Sequence, residues 1–305
     1  MTVRPQIILD TDIGTDVDDA LALAMLLGSP EADLVGVTCV YGDTETRARL
    51  AARLARLAGR PDLPVFAGTG ATRTGRDVFW AGHEAERLEA EDIGGYSGGM
   101  DGRAAVEFLT GQVAAAPGAV SVLAVGPLTN LAAAVEADPD FAHNVASLVL
   151  MGGSFVEPGT APPPAEHNIA CDPEAAAVVF SSGAAITVVG LDVTTTTWLS
   201  ADQVSTFGAI GALGPELLAQ LETWWAYTGK RGNVPHDPLA GLAILHPELF
   251  TFADWQVMVD LSGDRPGSTV TSEPNGPGTA ARVARTVSPE GAVDDLVARV
   301  SAACR

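Results

Sequence analysis

Five carboxylates lie within ten residues of the chain, directly after a short apolar segment. They are Asp10, Asp12, Asp16, Asp18 and Asp19. Aspartate is favoured in the first turn of a helix, where it caps unpaired N–H groups, but capping accounts for only one or two of the five. So many anions at one strand end repel one another unless a cation neutralises them, and carboxylate oxygens select Ca²⁺ or Mg²⁺. The cluster therefore predicts a divalent metal site.

Two other kinds of site share parts of this pattern. An EF-hand loop counted from Asp10 needs Gly at its sixth position and Glu at its twelfth, where this chain has Thr15 and Leu21. The spacing excludes an EF-hand. A haloacid-dehalogenase-type phosphatase carries Asp-x-Asp after a strand and uses the first Asp as its nucleophile, and Asp10 with Asp12 fits that short pattern. A metal-dependent phosphatase with Asp10 as nucleophile therefore stays an alternative.

The elements that must position these residues follow from the hydrophobic pattern. Short segments rich in Val, Ile and Leu alternate with longer segments of helical periodicity, which predicts an α/β fold with a mostly parallel central sheet flanked by helices. The predicted strands are 6–9, 34–38, 120–125, 147–151 and 185–189. The predicted helices are 18–27, 45–58, 104–115, 128–136, 173–180 and 216–227. We expect a single domain over residues 1–305.

The loops after the predicted strands are where a ligand site is expected. In open α/β sheets, ligands bind beyond the carboxyl ends of the parallel strands. These loops are Asp10–Asp19, Tyr41–Asp43, Gly126–Asn130 and Gly152–Asn168. The acidic cluster occupies the first of them, so we expect the metal at this edge of the sheet.

The overall charge limits the kinds of partner. Acidic residues outnumber Lys plus Arg by 38 to 17, and the formal net charge is −21. This field repels nucleic acid and anionic membrane surfaces, and it favours a small neutral substrate or a cation. The three cysteines lack CxxC spacing, so neither a zinc site nor a disulfide framework is predicted. Because no signal-peptide pattern and no uncharged apolar stretch of 18 residues occurs, we expect a soluble, cytoplasmic protein.

The motifs resemble those of the inosine-uridine nucleoside hydrolase family. Asp10-x-Asp12-x-Gly14 followed by Asp18-Asp19-Ala20 is similar to the amino-terminal motif of that family, with two extra residues before Asp18. The extra residues make Asp16 a rival for the role given to Asp18. Later segments resemble the family in the same order, and they are Gly126–Asn130, Met151–Gly153, Ala165–Asn168, Asp172–Ala175 and Pro235–Pro238. The resemblance covers the chain from Ile7 to about Leu245.

The resemblance implies a Rossmann-like fold and a calcium-dependent N-ribohydrolase that releases free base and ribose, with a role in purine or pyrimidine salvage. The implied calcium ligands are Asp12, Asp19, Asp237 and the backbone carbonyl of Thr129. Asp12 would also take the proton of the attacking water, and Asp10 and Asp16 would support these ligands from behind. Asp18 and Asn168 would bind ribose hydroxyls, with Glu166 toward the 5′ side.

The departing base needs its own partners. Its proton would come from His236 or His83, since histidine titrates near neutral pH. Trp80, Trp224, Trp225 and Tyr227 are candidates to stack on the base, and ordinary helix packing is the alternative for these aromatic residues.

Two departures from the family affect the substrate. This chain has Asp43 where the family usually has Asn, which adds a carboxylate near the metal and substrate, and Thr160 where the family often has Asn near the 5′-hydroxyl. These changes keep open a third hypothesis, a non-catalytic, calcium-dependent riboside-binding protein. The family resemblance also implies a homodimer or homotetramer.

Overall fold

The structure is a computed structural model that describes residues 4–14, 16–78, 88, 102–262 and 266–305. His83 and Trp80 lie outside the described residues. The strands are β1 Gln6–Thr11, β2 Asp33–Cys39, β3 Val65–Ala67, β4 Val120–Ala124, β5 Ser147–Met151, β6 Ile186–Val189, β7 Leu199–Ser200, β8 Gly232–Asn233, β9 Phe250–Asp260, β10 Ser268–Ser272 and β11 Thr279–Val287.

The helices are mostly short, and they alternate with the strands along the chain. They are α1 Asp18–Leu27, α2 Thr44–Leu57, α3 Arg103–Ala115, α4 Thr129–Ala137, α5 Phe141–Asn144, α6 His167–Cys171, α7 Pro173–Phe180, α8 Leu191–Thr194, α9 Ala201–Gly208, α10 Leu213–Thr228, α11 His236–Leu245 and α12 Pro289–Ala303. Within the described residues, none of these helices has the length and apolar character needed to cross a membrane.

Among the described residues, nine strands form the central sheet, in the order β10-β9-β11-β6-β5-β4-β1-β2-β3. All pairings from β3 across to β11 are parallel, whereas β9 pairs antiparallel with both β11 and β10. The predicted α/β fold with a mostly parallel sheet is therefore confirmed. The antiparallel strands β9 and β10, at one end of this strand order, were not predicted.

The predicted elements agree closely with the observed ones. Strand β5 and helices α1 and α7 have the predicted bounds, and the other predicted elements differ by one to a few residues at their ends. Strand β1 shows why a continuous apolar segment predicts a strand in this sheet. Ile7 and Leu9 pack in the core on one face of the sheet and Ile8 packs on the other, so helices cover both faces and the whole strand is apolar.

The amide side chain of Asn130 fastens three strand ends together. Its Nδ2 donates to the Asp10 carboxylate at 2.8 Å and to the Cys39 carbonyl at 3.0 Å, and its Oδ1 accepts from the Thr69 N–H at 2.8 Å. These partners lie at or just beyond the ends of β1, β2 and β3. One buried amide thus sets the spacing of the loops that follow these strands.

Replacing Asn130 by Ala should destabilise the protein, because it leaves buried groups of three strand ends without hydrogen-bond partners. We expect the free energy of unfolding to fall by roughly 3 kcal/mol, measured by urea denaturation. The control is Asn144→Ala on the short helix α5, which should cost less than about 0.5 kcal/mol. Equal small losses in both variants would show that Asn130 does not fasten the sheet.

Candidate active site

A cavity lies at the carboxyl ends of β1, β4, β5 and β6, where the sequence predicted a ligand site. The residues that line it are Asp12, Asp16, Asp18, Asp19, Val125, Met151, Glu166, His167, Asn168, Leu191, His236 and Asp237. Six of these are carboxylates, and none of the described residues lining the cavity is a lysine or an arginine. The cavity therefore has a strongly negative potential.

Three carboxylates converge where the first turns of α1 and α11 meet. Asp18, Asp19 and Asp237 are buried, and each has a carboxylate oxygen within 4.8 Å of the other two. The Asp237 N–H also donates to Asp18 Oδ2 at 3.3 Å. Burial, reinforced by the neighbouring carboxylates, raises the pKa of all three groups well above the ordinary value. Such a group of hard oxygen donors can hold a metal ion.

Asp12 reaches the same cavity from the end of β1, and a glycine makes room for it. A Cβ atom at Gly126 would lie 2.8 Å from Asp12 Oδ1 and 2.9 Å from the Asp12 backbone nitrogen. Only glycine permits this approach between the loops after β1 and β4. The absence of a side chain at Gly126 therefore lets the loop after β4 pack directly against Asp12.

A buried arginine supports the acidic loop from behind. Arg47 on α2 donates from Nη1 to the carbonyls of Asp12 and Ile13, the latter at 2.9 Å, and from Nε to the Tyr41 carbonyl at 2.7 Å. The Arg47 side chain is 5% exposed, and its positive charge opposes the rise in the pKa of Asp19. Arg47 is not among the site residues predicted from the sequence. Its helical spacing with the buried Ala51 and Leu54 is the signal that could have found it.

Glu166 and Asn168 connect the loop after β5 to the strand ends. Glu166 accepts from the backbone N–H groups of Gly153 and Asn168, both at 2.9 Å, and caps α6. Asn168 Nδ2 donates to the carbonyls of Val125 at 2.8 Å and Met151 at 3.1 Å. Burial raises the pKa of Glu166 to about 7. Both side chains therefore have a structural role and still line the cavity.

Two histidines line the cavity. His236, the first residue of α11, has its Nδ1 atom 2.7 Å from the Thr194 hydroxyl, and burial lowers its pKa to about 4. His167 lies between Glu166 and Asn168, with its Nε2 atom 3.6 Å from Cys171 Sγ. Burial also lowers the pKa of His167. Because the site of His236 is desolvated, its ring is uncharged near neutral pH, and its role at the departing base stays a prediction.

Three predicted site residues do not line the cavity. Thr129 is the first residue of α4, and its hydroxyl donates to buried Asp172. Val125 lines the cavity, and its carbonyl accepts from Asn168 Nδ2. Asp43 is exposed, because its carboxylate caps α2 through the N–H and hydroxyl of Thr46. Thr160 is exposed in the loop before α6. These placements do not support the roles predicted for the Thr129 carbonyl and for the Asp43 and Thr160 side chains, and those roles stay predictions.

Asp10 is fully buried behind the cavity rather than in it. Its Oδ1 atom accepts from Thr38 and Asn130, and burial raises its pKa to about 7. A nucleophile must reach its substrate, so this placement removes the support for the phosphatase alternative. The predicted position behind the metal ligands fits Asp10. Asp16, predicted for the same supporting position, lines the cavity itself.

The aromatic residues of α10 also lie away from the cavity lining. Trp224 and Trp225 are buried in the core, and Trp225 Nε1 donates to Asn233 Oδ1 at 2.6 Å. Tyr227 is 59% exposed and stacks on Trp224, with ring centroids 5.6 Å apart. The positions of these three residues fit ordinary helix packing, the alternative to stacking on the base. The predictions for Trp80 and His83 concern residues that the structure does not describe.

Comparison with known proteins decides which family shares this fold and cavity. Residues 7–294 match the family model of the inosine-uridine preferring nucleoside hydrolases. The chain belongs to that family. The predicted family and enzyme class are therefore confirmed, and with them the reaction, hydrolysis of ribonucleosides to free base and ribose. This hydrolase is also similar to individual members along most of its length.

Among its relatives, uridine nucleosidase 1 of Arabidopsis thaliana is 37% identical, over 88% of this chain and 82% of the relative. The non-specific ribonucleoside hydrolase RihC of Salmonella paratyphi C is 35% identical, over 90% of each chain. Among solved structures, the plant nucleoside hydrolase PpNRh1 has a TM-score of 0.82 at 31% identity, and the purine-preferring ribonucleoside hydrolase of Gardnerella vaginalis has 0.85 at 29%. Each of these two alignments covers 98% of this chain and 99% of the other.

Replacing Arg47 by Met should destabilise the metal-free hydrolase, measured in the presence of a chelator. The acidic loop loses two carbonyl contacts and a buried counter-charge, and the Tyr41 carbonyl loses a third contact. We expect a loss of roughly 3 to 5 kcal/mol in the free energy of unfolding. Arg47→Lys keeps the charge but not the planar fork, so it should recover only part of the loss. The control is Arg49→Met on the same helix, which removes a surface pair with Glu45 and should cost under about 1 kcal/mol. Similar losses for Arg47→Met and Arg49→Met would contradict the supporting role.

Proposed function

We propose that this hydrolase uses a calcium ion to cleave the N-glycosidic bond of ribonucleosides, with uridine among its substrates. The observation that carries the proposal is the convergence of buried carboxylates from α1 and α11 beside Asp12, Glu166 and Asn168 in one cavity. The uridine nucleosidase among the relatives supports the choice of uridine.

The donor atoms fit calcium. Cysteine is absent from the described cavity lining, and the acidic side chains there supply hard oxygen donors of the kind that calcium prefers. We assign Asp12, Asp19 and Asp237 as ligands and replace the Thr129 carbonyl by that of Val125, which lies at the cavity. When bound, calcium would supply the positive charge that holds the ribose 2′- and 3′-hydroxyls and a water molecule.

The carboxylates have a second task, which is to favour the transition state. Cleavage of the bond leaves positive charge on the sugar, and the negative potential of the cavity stabilises that charge. Asp12 accepts a proton from the attacking water as its oxygen bonds to the anomeric carbon. The electron pair of the C–N bond moves to the base, which leaves with a proton taken from a solvent water, and the hydroxide so formed is neutralised by the proton that Asp12 accepted.

The ribose is held by side chains that are themselves fixed. Asp18 and Asn168 bind its hydroxyls, and Glu166 lies toward the 5′ side. An ionised carboxylate has about four acceptor positions, so Glu166 can accept a hydroxyl in addition to its backbone N–H partners. Fixing the sugar in this way orients the anomeric carbon for attack.

His236 faces the departing base as a neutral hydrogen-bond donor. Because burial lowers its pKa to about 4, the ring is uncharged near neutral pH and stabilises the electrons that move onto the base through an N–H group. His83 and Trp80 stay predictions for the base side. The riboside-binding alternative depended on Asp43 and Thr160, and neither lines the cavity.

The proposed reaction is tested by a reducing-sugar assay over a panel of ribonucleosides, with calcium and with a chelator. We expect ribose release with calcium, including release from uridine, and loss of release with the chelator. Release that is unaffected by the chelator would overturn the metal dependence, and binding without any release would overturn the activity.

Calcium should also stabilise the protein against unfolding, because it binds only the folded cluster. Calcium at 100 times its Kd should add about 2.7 kcal/mol, seen as a rise in Tm. Asp237→Asn should abolish this rise, whereas Asp33→Asn, at an exposed position in β2, should keep it. If calcium raised the Tm of Asp237→Asn as much as that of the wild-type protein, or if the protein preferred zinc, the proposed calcium site would be excluded.

The negative cavity should select nucleosides over nucleotides. Uridine 5′-monophosphate brings two negative charges toward carboxylates that no lining lysine or arginine offsets among the described residues, so its kcat/KM should be at least roughly tenfold below that of uridine. Added salt should raise the rate on the nucleotide and leave that on uridine nearly unchanged. Equal rates at low salt would contradict this role of the cavity charge.

Three expectations stay predictions. They are the single domain over residues 1–305, the cytoplasmic location, and assembly as a homodimer or homotetramer. Light scattering on the purified protein measures the assembly directly, and cell fractionation measures the location.

A further inference from the structure

Thr194 lies behind His236, outside the residues that line the cavity. It is the last residue of α8 and is fully buried. Its Oγ1 atom is 2.7 Å from His236 Nδ1. Leu191, at the start of the same short helix, lines the cavity, so α8 forms part of the wall next to His236. Thr194 therefore contacts the side of the imidazole that bears Nδ1.

The proton of the Thr194 hydroxyl decides the direction of this hydrogen bond. Within the described part of the chain, His236 Nδ1 is the only partner recorded for Thr194 Oγ1. The next two threonines differ, because Thr195 donates to the Leu191 carbonyl at 2.6 Å and Thr196 to the Val193 carbonyl at 2.7 Å. A buried hydroxyl without an acceptor costs about 1 to 3 kcal/mol. Thr194 avoids that cost by donating to the lone pair of Nδ1.

A hydrogen bond in this direction fixes the form of the ring. If Nδ1 accepts, the hydrogen of the neutral imidazole must be on Nε2. Nε2 is then the donor that remains available to a ligand in the cavity. The opposite tautomer would offer the cavity an acceptor and would leave the Thr194 proton unmatched.

We propose that Thr194 is a positioning residue, which holds His236 in the Nε2–H tautomer so that this N–H donates to the departing base. The inference rests on the proposed function, in which His236 faces the base. Thr194 would then affect activity through His236, although Thr194 itself does not line the cavity.

The first experiment observes the tautomer directly, with and without calcium. Long-range ¹H–¹⁵N correlation spectra of the ¹⁵N-labelled protein report which ring nitrogen carries hydrogen, and His236→Gln identifies the signal among the five histidines. We expect Nε2–H for His236 in the wild-type chain and in Thr194→Ser, and a mixture of tautomers in Thr194→Val. An Nδ1–H ring in the wild-type chain would overturn the proposal even if no variant folds.

The second experiment measures turnover. Thr194→Val should lower kcat on uridine by roughly tenfold, the lower range for loss of a supporting hydrogen bond, with Thr194→Ser restoring most of it. The KM should change by less than about twofold, because the N–H acts mainly as the base departs. p-Nitrophenyl riboside should be affected much less, since its leaving group departs without a proton. Equal losses on both substrates would overturn the positioning role.

Thr197→Val is the matched control. Thr197 is also buried in this segment, but its hydroxyl has no hydrogen-bond partner in the part of the chain that the structure describes, so the change should leave the His236 spectrum and turnover unchanged. His236→Gln separates the two proposals. If it lowers turnover equally on uridine and p-nitrophenyl riboside, His236 does not serve the base and the proposed function fails there, whereas the tautomer spectrum still decides the role of Thr194.

Discussion

Mutual repulsion between buried carboxylates is the constraint on which the site depends. Asp18, Asp19 and Asp237 come from helices that are more than 200 residues apart in the chain, and burial leaves each with a raised pKa. Holding such groups together is unfavourable by several kcal/mol for each unpaired ion. The Arg47 guanidinium behind the loop and backbone N–H groups offset part of this cost, and the calcium ion that we propose would offset more of it. The same repulsion makes the cluster selective for a cation.

Side-chain amides keep the scaffold rigid where backbone pairing ends. Asn130 links the ends of β1, β2 and β3, and Asn168 links the carbonyls that follow β4 and end β5. Parallel strands diverge beyond their last paired residues, so an amide with donors and an acceptor replaces the lost ladder contacts. Asn168 shows that scaffold and site are not separate, because the side chain that fastens the strands also lines the cavity.

The sequence could predict most of the elements, because strands covered on both faces are continuously apolar and their helices are periodic. It also predicted the chemistry carried by side chains, and Asp19, Glu166 and Asp237 do meet in the cavity. It could not show that Val125, and not Thr129, lines the cavity, since every residue has a carbonyl and only the fold orients it. It also could not show that the Asp43 carboxylate caps α2, because capping and a place near the substrate were equally good local uses of that side chain.

In the proposed mechanism, the short segment at the start of α11 stabilises both of the charges that develop as the C–N bond breaks. In the transition state, positive charge grows on the sugar and negative charge grows on the base. In the mechanism that we propose, Asp237 belongs to the anionic group that favours the first, and its neighbour His236 offers a neutral N–H for the second. A charged imidazolium next to the cluster would instead pair with the carboxylates and weaken their effect on the sugar. Desolvation of His236 therefore preserves the difference in potential that separates the two charges.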